Sequence, residues 1–174
     1  MRVLWLLLLV LYTVHPEERL VIQQKEITVS GNTSIGKFNC TYTELGLGDT
    51  LTFLNRQSKD IFYFNIAVTD FACGNPILNN DFRKTIKAKE YPHARVKVSR
   101  LRKSADGYRC DLNLEIAGKP LFFKDFSLSD DGRHLMGTLT IDFATLELEA
   151  PRKFGGLIKV DDMLSLSLAL QYVK

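Results

Sequence analysis

Histidine, cysteine and tryptophan are scarce in this chain of 174 residues, with three, three and one copies. The histidines, His15, His93 and His134, are scattered and form no paired or H-E-x-x-H spacing, so no common metal-ligand pattern is present. No Ser-His-Asp or Cys-His order is recognisable. Gly155-Gly156 and Gly46-x-Gly48 are too short for phosphate loops, and no catalytic residue is expected. The cysteines, Cys40, Cys73 and Cys110, include no C-x-x-C pair, which argues against a zinc ribbon or a thioredoxin-type site. Charge of one sign is also lacking. With 23 basic and 20 acidic residues the net charge is +3, too near balance for the concentrated basic face that nucleic acid requires. Internal repeats, linkers and low-complexity stretches are absent.

Long apolar runs are missing too. The longest, Val3 to Val14, falls short of the roughly 20 residues that span a bilayer and stops at His15-Pro16-Glu17-Glu18. Preceded by Met1-Arg2, it reads as a secretory signal peptide over residues 1–18, leaving one domain over 19–174. No cysteine follows it, so a lipoprotein is not expected. The alternative is an uncleaved N-terminal anchor. The expected location is the periplasm or the extracellular space, where disulfides persist.

What the chain does have is period-two alternation. Strand-like segments run over Leu20 to Ser30, Lys37 to Thr43 and Thr50 to Asn55. The clearest covers Ile61 to Phe71, with Phe62, Phe64, Ile66 and Val68 on one face and Tyr63, Asn65, Ala67 and Thr69 on the other. Asn75-Pro76 suits an N-cap and first helical turn, and Ile77, Leu78, Phe82, Thr85 and Ile86 then recur at helical spacing. Tyr91-Pro92 ends that segment. Further strands begin at Ala94, after Asp106-Gly107, after the turn at Ala117-Gly118-Lys119-Pro120, after Asp130-Asp131-Gly132, and at Leu164. About eight strands and one short helix, separated by turn signals, predict an all-β, antiparallel sandwich or closed barrel. Eight strands close a barrel that side chains fill or that holds one small ligand.

Two stretches then carry a resemblance. Asp70-Phe71-Ala72-Cys73-Gly74-Asn75-Pro76-Ile77-Leu78-Asn79-Asn80-Asp81-Phe82-Arg83-Lys84-Thr85-Ile86, followed by Tyr91-Pro92-His93-Ala94-Arg95-Val96, resembles the signature of the YceI-like family, in the form with Cys-Gly-Asn found in Bacteroidetes-type bacteria. Ser30 to Cys40 and Glu149 to Asp162 resemble that branch's second strand and C-terminus, so the resemblance spans about residues 20 to 174. It departs at the start of the first strand, which lacks the usual aromatic residue, and at Arg95. The resemblance implies an eight-stranded antiparallel lipocalin-like barrel, exported and binding a polyisoprenoid or similar chain inside. Cys40 and Cys73 both fall in the resembling stretches and are expected to pair in a disulfide. Cys110, on an apolar face, is expected to be an inert buried thiol.

The expected lipid-facing set is Phe62, Phe64, Ile66, Val68, Leu112, Leu114, Ile116, Leu139, Ile141, Phe143, Leu166 and Leu168, with Leu170 beyond it. An apolar chain among them would gain about 0.8 kcal/mol per buried CH2, or roughly 3–4 kcal/mol per five-carbon isoprene unit before ordering costs. The bound molecule is expected to be an isoprenoid or quinone, with no cofactor otherwise, and a homodimer is possible. Asn75, Asn79, Asn80, Asp81 and Arg83 are candidates for the mouth, with Arg83 or Lys84 available to an anionic headgroup. The competing expectation is a structural or interaction barrel at the cell envelope whose core these same side chains fill.

Overall fold

A computed structural model describes residues 18–153, 155 and 157–174. The expected signal peptide therefore lies outside the described residues, except for Glu18, which opens the first strand. The strands are β1 (Glu18–Thr33), β2 (Gly36–Leu45), β3 (Thr50–Phe53), β4 (Phe62–Ala67), β5 (His93–Ser104), β6 (Gly107–Ile116), β7 (Lys119–Asp130), β8 (His134–Asp142), β9 (Arg152–Lys153) and β10 (Ile158–Val173). One α-helix, α1 (Pro76–Thr85), separates β4 from β5. The antiparallel sheet runs β2-β1-β10-β8-β7-β6-β5-β4, with β3 paired to β1 and β9 to β10. It curls into a half-barrel around an apolar core, so the described residues carry the all-β, antiparallel architecture with one short helix that the alternation predicts.

Local chemistry fixes the turns. Ile116 pairs with Lys119 across a two-residue loop in which both Ala117 and Gly118 have positive φ, 50° and 73°. That is the turn whose twist matches the flanking strands. Between β7 and β8, Asp131 Oδ1 accepts hydrogen bonds from the backbone N–H groups of Arg133 and His134 at 2.8 and 2.7 Å. These donors hold the exposed Asp131 carboxyl down to about 2.

Three β-bulges change which residues point inward. In β1 the register shifts between Ile22 and Gln24. Leu20 and Ile22 are buried before the shift; Lys25, Ile27 and Val29 are buried after it. In β5 and β7 the bulges sit at Arg100 and Asp125, both non-glycine residues with positive φ, 53° and 60°. Buried Asp111 of β6 lies between them. Its carboxylate pairs with the Arg100 guanidinium and accepts the Asp125 backbone N–H at 3.1 Å.

One expected strand is shorter than the alternation suggests. The segment Ile61 to Phe71 is a strand only over Phe62–Ala67, and Val68–Asp70 form a 3-10 turn. The Val68 N–H donates to Pro92 O at 2.9 Å, which turns the chain away from β4's line while Val68 itself stays buried. The turn delivers Ala72 to Thr41 of β2, where the two backbones exchange N–H···O bonds of 2.9 Å each. Next to this bridge, Cys40 and Cys73 form a disulfide, with Cα atoms 4.0 Å apart.

No ladder joins β2 to β4, so these contacts hold the two sheet edges together at one end. At the other end the chain after β3 reaches β5, with Ser58 N donating to Leu101 O and Lys103 N to Arg56 O, both 2.8 Å. The disulfide links positions 33 residues apart, a loop whose closure is worth roughly 2–4 kcal/mol. Urea unfolding of the Cys40→Ser/Cys73→Ser variant, compared with the oxidised protein, is expected to show a loss of that size. A loss within about 0.5 kcal/mol, a change typical of an inconsequential surface site, would mean the edge is held without the bond.

Candidate functional site

A partly open apolar space lies at the α1 end of the half-barrel. It has a volume of about 160 Å³ and an almost wholly apolar wall. Strands contribute Val29, Phe38, Ala94, Ile116, Ile141, Val160, Leu164 and Leu166. The segment after β8 adds Phe143, Leu146, Leu148 and Pro151, and the segment from Val68 through α1 adds Phe71, Leu78, Phe82, Thr85 and Ile86.

The space exists because two strands part. β7 and β8 pair only at Ser129–Met136 and Asp130–Leu135 and then diverge. At the start of the divergence Gly137 lets the Phe126 ring pack closely, since a Cβ there would come within 2.5 Å of the ring and force it to shift. Further along, the 3-10 turn Ala144–Leu146 drops buried Leu146 and Leu148 into the gap. Lys119 ties this segment back to β7 through its ion pair with Glu147.

The helix closes the space from above. Asn75 Oδ1 accepts the Leu78 N–H at 2.9 Å as an N-cap, with Pro76 at the first helical position. Asn79 Oδ1 accepts the Cys73 N–H at 2.6 Å, and Arg83 Nη2 donates to Thr69 O at 2.7 Å. Asn79 and Arg83 thus anchor the helix to the segment that carries the disulfide, while Asn75 caps it. Asp81 reaches the cavity wall, whereas Asn80 and Lys84 are exposed. Phe82 packs on Phe71, centroids 5.3 Å apart, and Phe71 on Tyr42 at 5.8 Å. No residue of the helix is itself buried.

The expected lipid-facing residues divide into three groups. Val68, Ile116, Ile141, Phe143 and Leu166 line the cavity. Phe62, Phe64, Leu112 and Leu168, with Leu170, surround a second void of only about 20 Å³ toward the other end. Ile66, Leu114 and Leu139 are buried in the core and border neither space. The interior is therefore an apolar chamber at one end and a packed core at the other, not a continuous tunnel. A wider concavity of about 400 Å³ lies over β4 to β6, but it opens to solvent across Asn65, Arg95, Lys97, Asn113 and Glu115.

Lys25 has no counterpart in the sequence reading. Its side chain is only 4% exposed, with Nζ 2.7 Å from Glu44 Oε2 and 4.1 Å from the centroid of the Phe64 ring. Tyr42 OH donates to the same Glu44 oxygen at 2.7 Å. Burial, then this bond, pushes the Tyr42 phenol up to about 12. Hydrogen bonds from Lys25 and Tyr42 hold the Glu44 carboxyl below its ordinary range. The trio occupies the middle of the unpaired β2/β4 edge, where a charge is satisfied at the barrel wall without entering the cavity. Cys110, buried in the packed half beside the small void, has its thiol pushed up to about 11 by burial and is a poor nucleophile. Among the described residues no group of three or more His, Cys, Asp or Glu side chains could hold a metal ion. No helix among them is long and apolar enough to cross a membrane.

Removing Glu44 while keeping Lys25 leaves a buried cation without its anion, so Glu44→Gln is expected to cost about 1–3 kcal/mol, and Lys25→Met less. Because the folded Glu44 pKa is depressed, its contribution is present above the ordinary glutamate range and disappears as pH falls through the lowered value. Denaturant titrations of both variants between neutral and acid pH check this. Equal losses for the two, with unchanged acid sensitivity, would contradict it.

No family model and no curated protein matches the chain. Solved structures do. The polyisoprenoid binding domain from Saccharophagus degradans implicated in plant cell wall breakdown aligns over 88% of this chain and 97% of its own, at 14% identity and a TM-score of 0.56. BcnA of Burkholderia cenocepacia aligns over 85% of this chain and 96% of its own, at 17% identity and a TM-score of 0.50. At these identities the likeness is one of fold. The chain therefore shares the fold of these two proteins.

Proposed function

We propose that this protein holds an isoprenoid or similar apolar chain in the cavity beneath α1, as an exported carrier or storage module that catalyses nothing. The observation that carries the reading is the cavity itself: partly open, walled by aliphatic and aromatic side chains, and unfilled by the protein's own side chains, which pack closely elsewhere. Empty space of this kind forfeits van der Waals contacts, and apolar cavities stay dry until an apolar guest fills them. An apolar protein cavity of about 150 Å³ takes up benzene. The 160 Å³ here thus matches roughly one five-carbon unit. A longer chain would run outward past α1, none of whose residues is fully buried. The similar solved structure of a polyisoprenoid binding domain supports the choice of an isoprenoid, free or as the tail of a quinone.

Export is supported by the apolar stretch Val3 to Val14 and by the Cys40–Cys73 disulfide, since such bonds persist in oxidising compartments. The non-catalytic reading is supported by the chemistry of the cavity wall, which offers the Asp81 carboxyl and threonine hydroxyls but no nucleophile–base pair. The competing reading, a structural barrel with a filled core, is favoured by the packed end, where the remaining void is about 20 Å³.

The two readings separate on a cavity-filling variant. Ala94, half-buried on β5, lines the cavity, and Ala94→Phe places a ring inside it. Native mass spectrometry of the gently purified protein is expected to show an apolar adduct on the wild type and at least a tenfold lower occupancy on Ala94→Phe, with the fold retained by circular dichroism. No adduct on the wild type after incubation with a prenyl alcohol would leave only the structural barrel.

A further inference from the structure

Three strands cross from the small void to the chamber beneath α1 in the same order. Along β4, Phe64 borders the void, Ile66 borders neither space, and Val68, just past the strand, borders the chamber. Along β6 the succession is Leu112, Leu114 and Ile116. Along β8 it is Leu135, then Gly137 and Leu139, then Ile141. The intervening Ile66, Leu114 and Leu139 are 2%, 4% and 7% exposed, so all three are packed inside.

These side chains form a floor one layer deep between the two spaces. Inward positions on a strand are two residues apart, so a layer is about 7 Å deep. The floor is thinnest beside β10. There Leu168 borders the void, and the next inward residue, Leu166, already lines the chamber. Their partners across β8 are Gly137 and Leu139. Gly137 has no side chain, and the Phe126 ring packed on it belongs to the wall of the void. Between β8 and β10, Leu139 alone supplies the floor.

The chamber also has a direction. The polar residues of its wall, Thr33, Asp81 and Thr85, stand at the end of β1 and on α1, while the residues next to the floor, Ile116, Ile141 and Leu166, are aliphatic. A polar headgroup is solvated at the α1 end and loses its hydrogen bonds at the floor. A chain therefore enters tip first.

We infer that Leu139, with Ile66 and Leu114, is a stop that sets how deep an apolar chain enters. The site takes in one five-carbon end unit and leaves the rest of the chain and its headgroup outside. The ligand class that follows is a chain recognised by its tip, with little discrimination of headgroup. This inference rests on the apolar-ligand reading.

The test compares a one-unit with a two-unit prenyl alcohol by the ratio of their dissociation constants on the full chain. Leu139→Ala opens the floor between β8 and β10 and joins the chamber to the small void. The ratio is expected to move about tenfold or more in favour of the two-unit alcohol, whose second unit passes from the rim into apolar surroundings. Leu135→Ala, a truncation of the same size beyond the floor, is expected to keep the wild-type ratio. A Leu139→Ala ratio equal to that of the wild type, or the same rise in Leu135→Ala, overturns the stop and leaves the apolar-ligand reading standing. Failure of the wild type to bind either alcohol overturns both.

The wild type carries a second readout should Leu139→Ala not fold. Nuclear Overhauser contacts from the terminal methyls of the bound two-unit alcohol are expected at the methyls of Leu139 and Ile141, and none at those of Leu112. Contacts from the tip to Leu112, beyond the floor, overturn the inference, as do contacts from the tip to Leu78 of α1 alone.

Discussion

A curled sheet whose last strand does not pair with its first has two open edges, and here β2 and β4 are those edges. The reciprocal Thr41–Ala72 backbone bonds and the Cys40–Cys73 disulfide draw them together at one end. That closure fixes where Phe71 and α1 sit, because the segment from Val68 to Asn79 is anchored through Cys73. Helix position in turn sets the roof of the cavity. Where the edge stays unpaired, Lys25, Tyr42 and Glu44 fill the wall with a satisfied polar cluster, so the interior remains apolar without a strand to complete it.

The division of the interior has a backbone cause. The bulges at Arg100 and Asp125, clamped by Asp111, bring Leu101, Phe126 and Leu128 inward at one end, where they surround the small void. At the other end β7 and β8 separate, and the short turn with Leu146 and Leu148 spans the gap without filling the space beneath it. The capacity of the chamber is thus set by strand divergence, while its chemistry is set by the alternation of the strands.

Much of this was legible in the residues. Alternation located the eight long strands, and Asn75-Pro76 located the helix start, because period and capping are local properties. The inward faces of β6, β8 and β10 followed from period two alone. Lys25 did not, because a one-residue shift at Gln23 inverts the face of everything after it in β1, and no local feature of Gln23-Gln24 announces a bulge. The separation of Ile116, Ile141 and Leu166, which line the cavity, from Ile66, Leu114 and Leu139, which do not, depends on the relative splay of β7 and β8. Splay is a property of the assembled sheet. Leu146 and Leu148 stand two apart between Thr145, Glu147 and Glu149, a spacing that hints at one buried face without naming its partner.

The central claim is that the apolar chamber beneath α1, and not the packed half, receives an apolar chain. Isotope-filtered nuclear Overhauser contacts between methyl-labelled protein and a two-unit prenyl alcohol test it most directly. The account predicts contacts to the methyls of Ile116, Ile141, Leu146 and Leu166, and none to Leu135 or Leu170 at the packed end. Contacts confined to exposed methyls, or none at saturating probe, would contradict it.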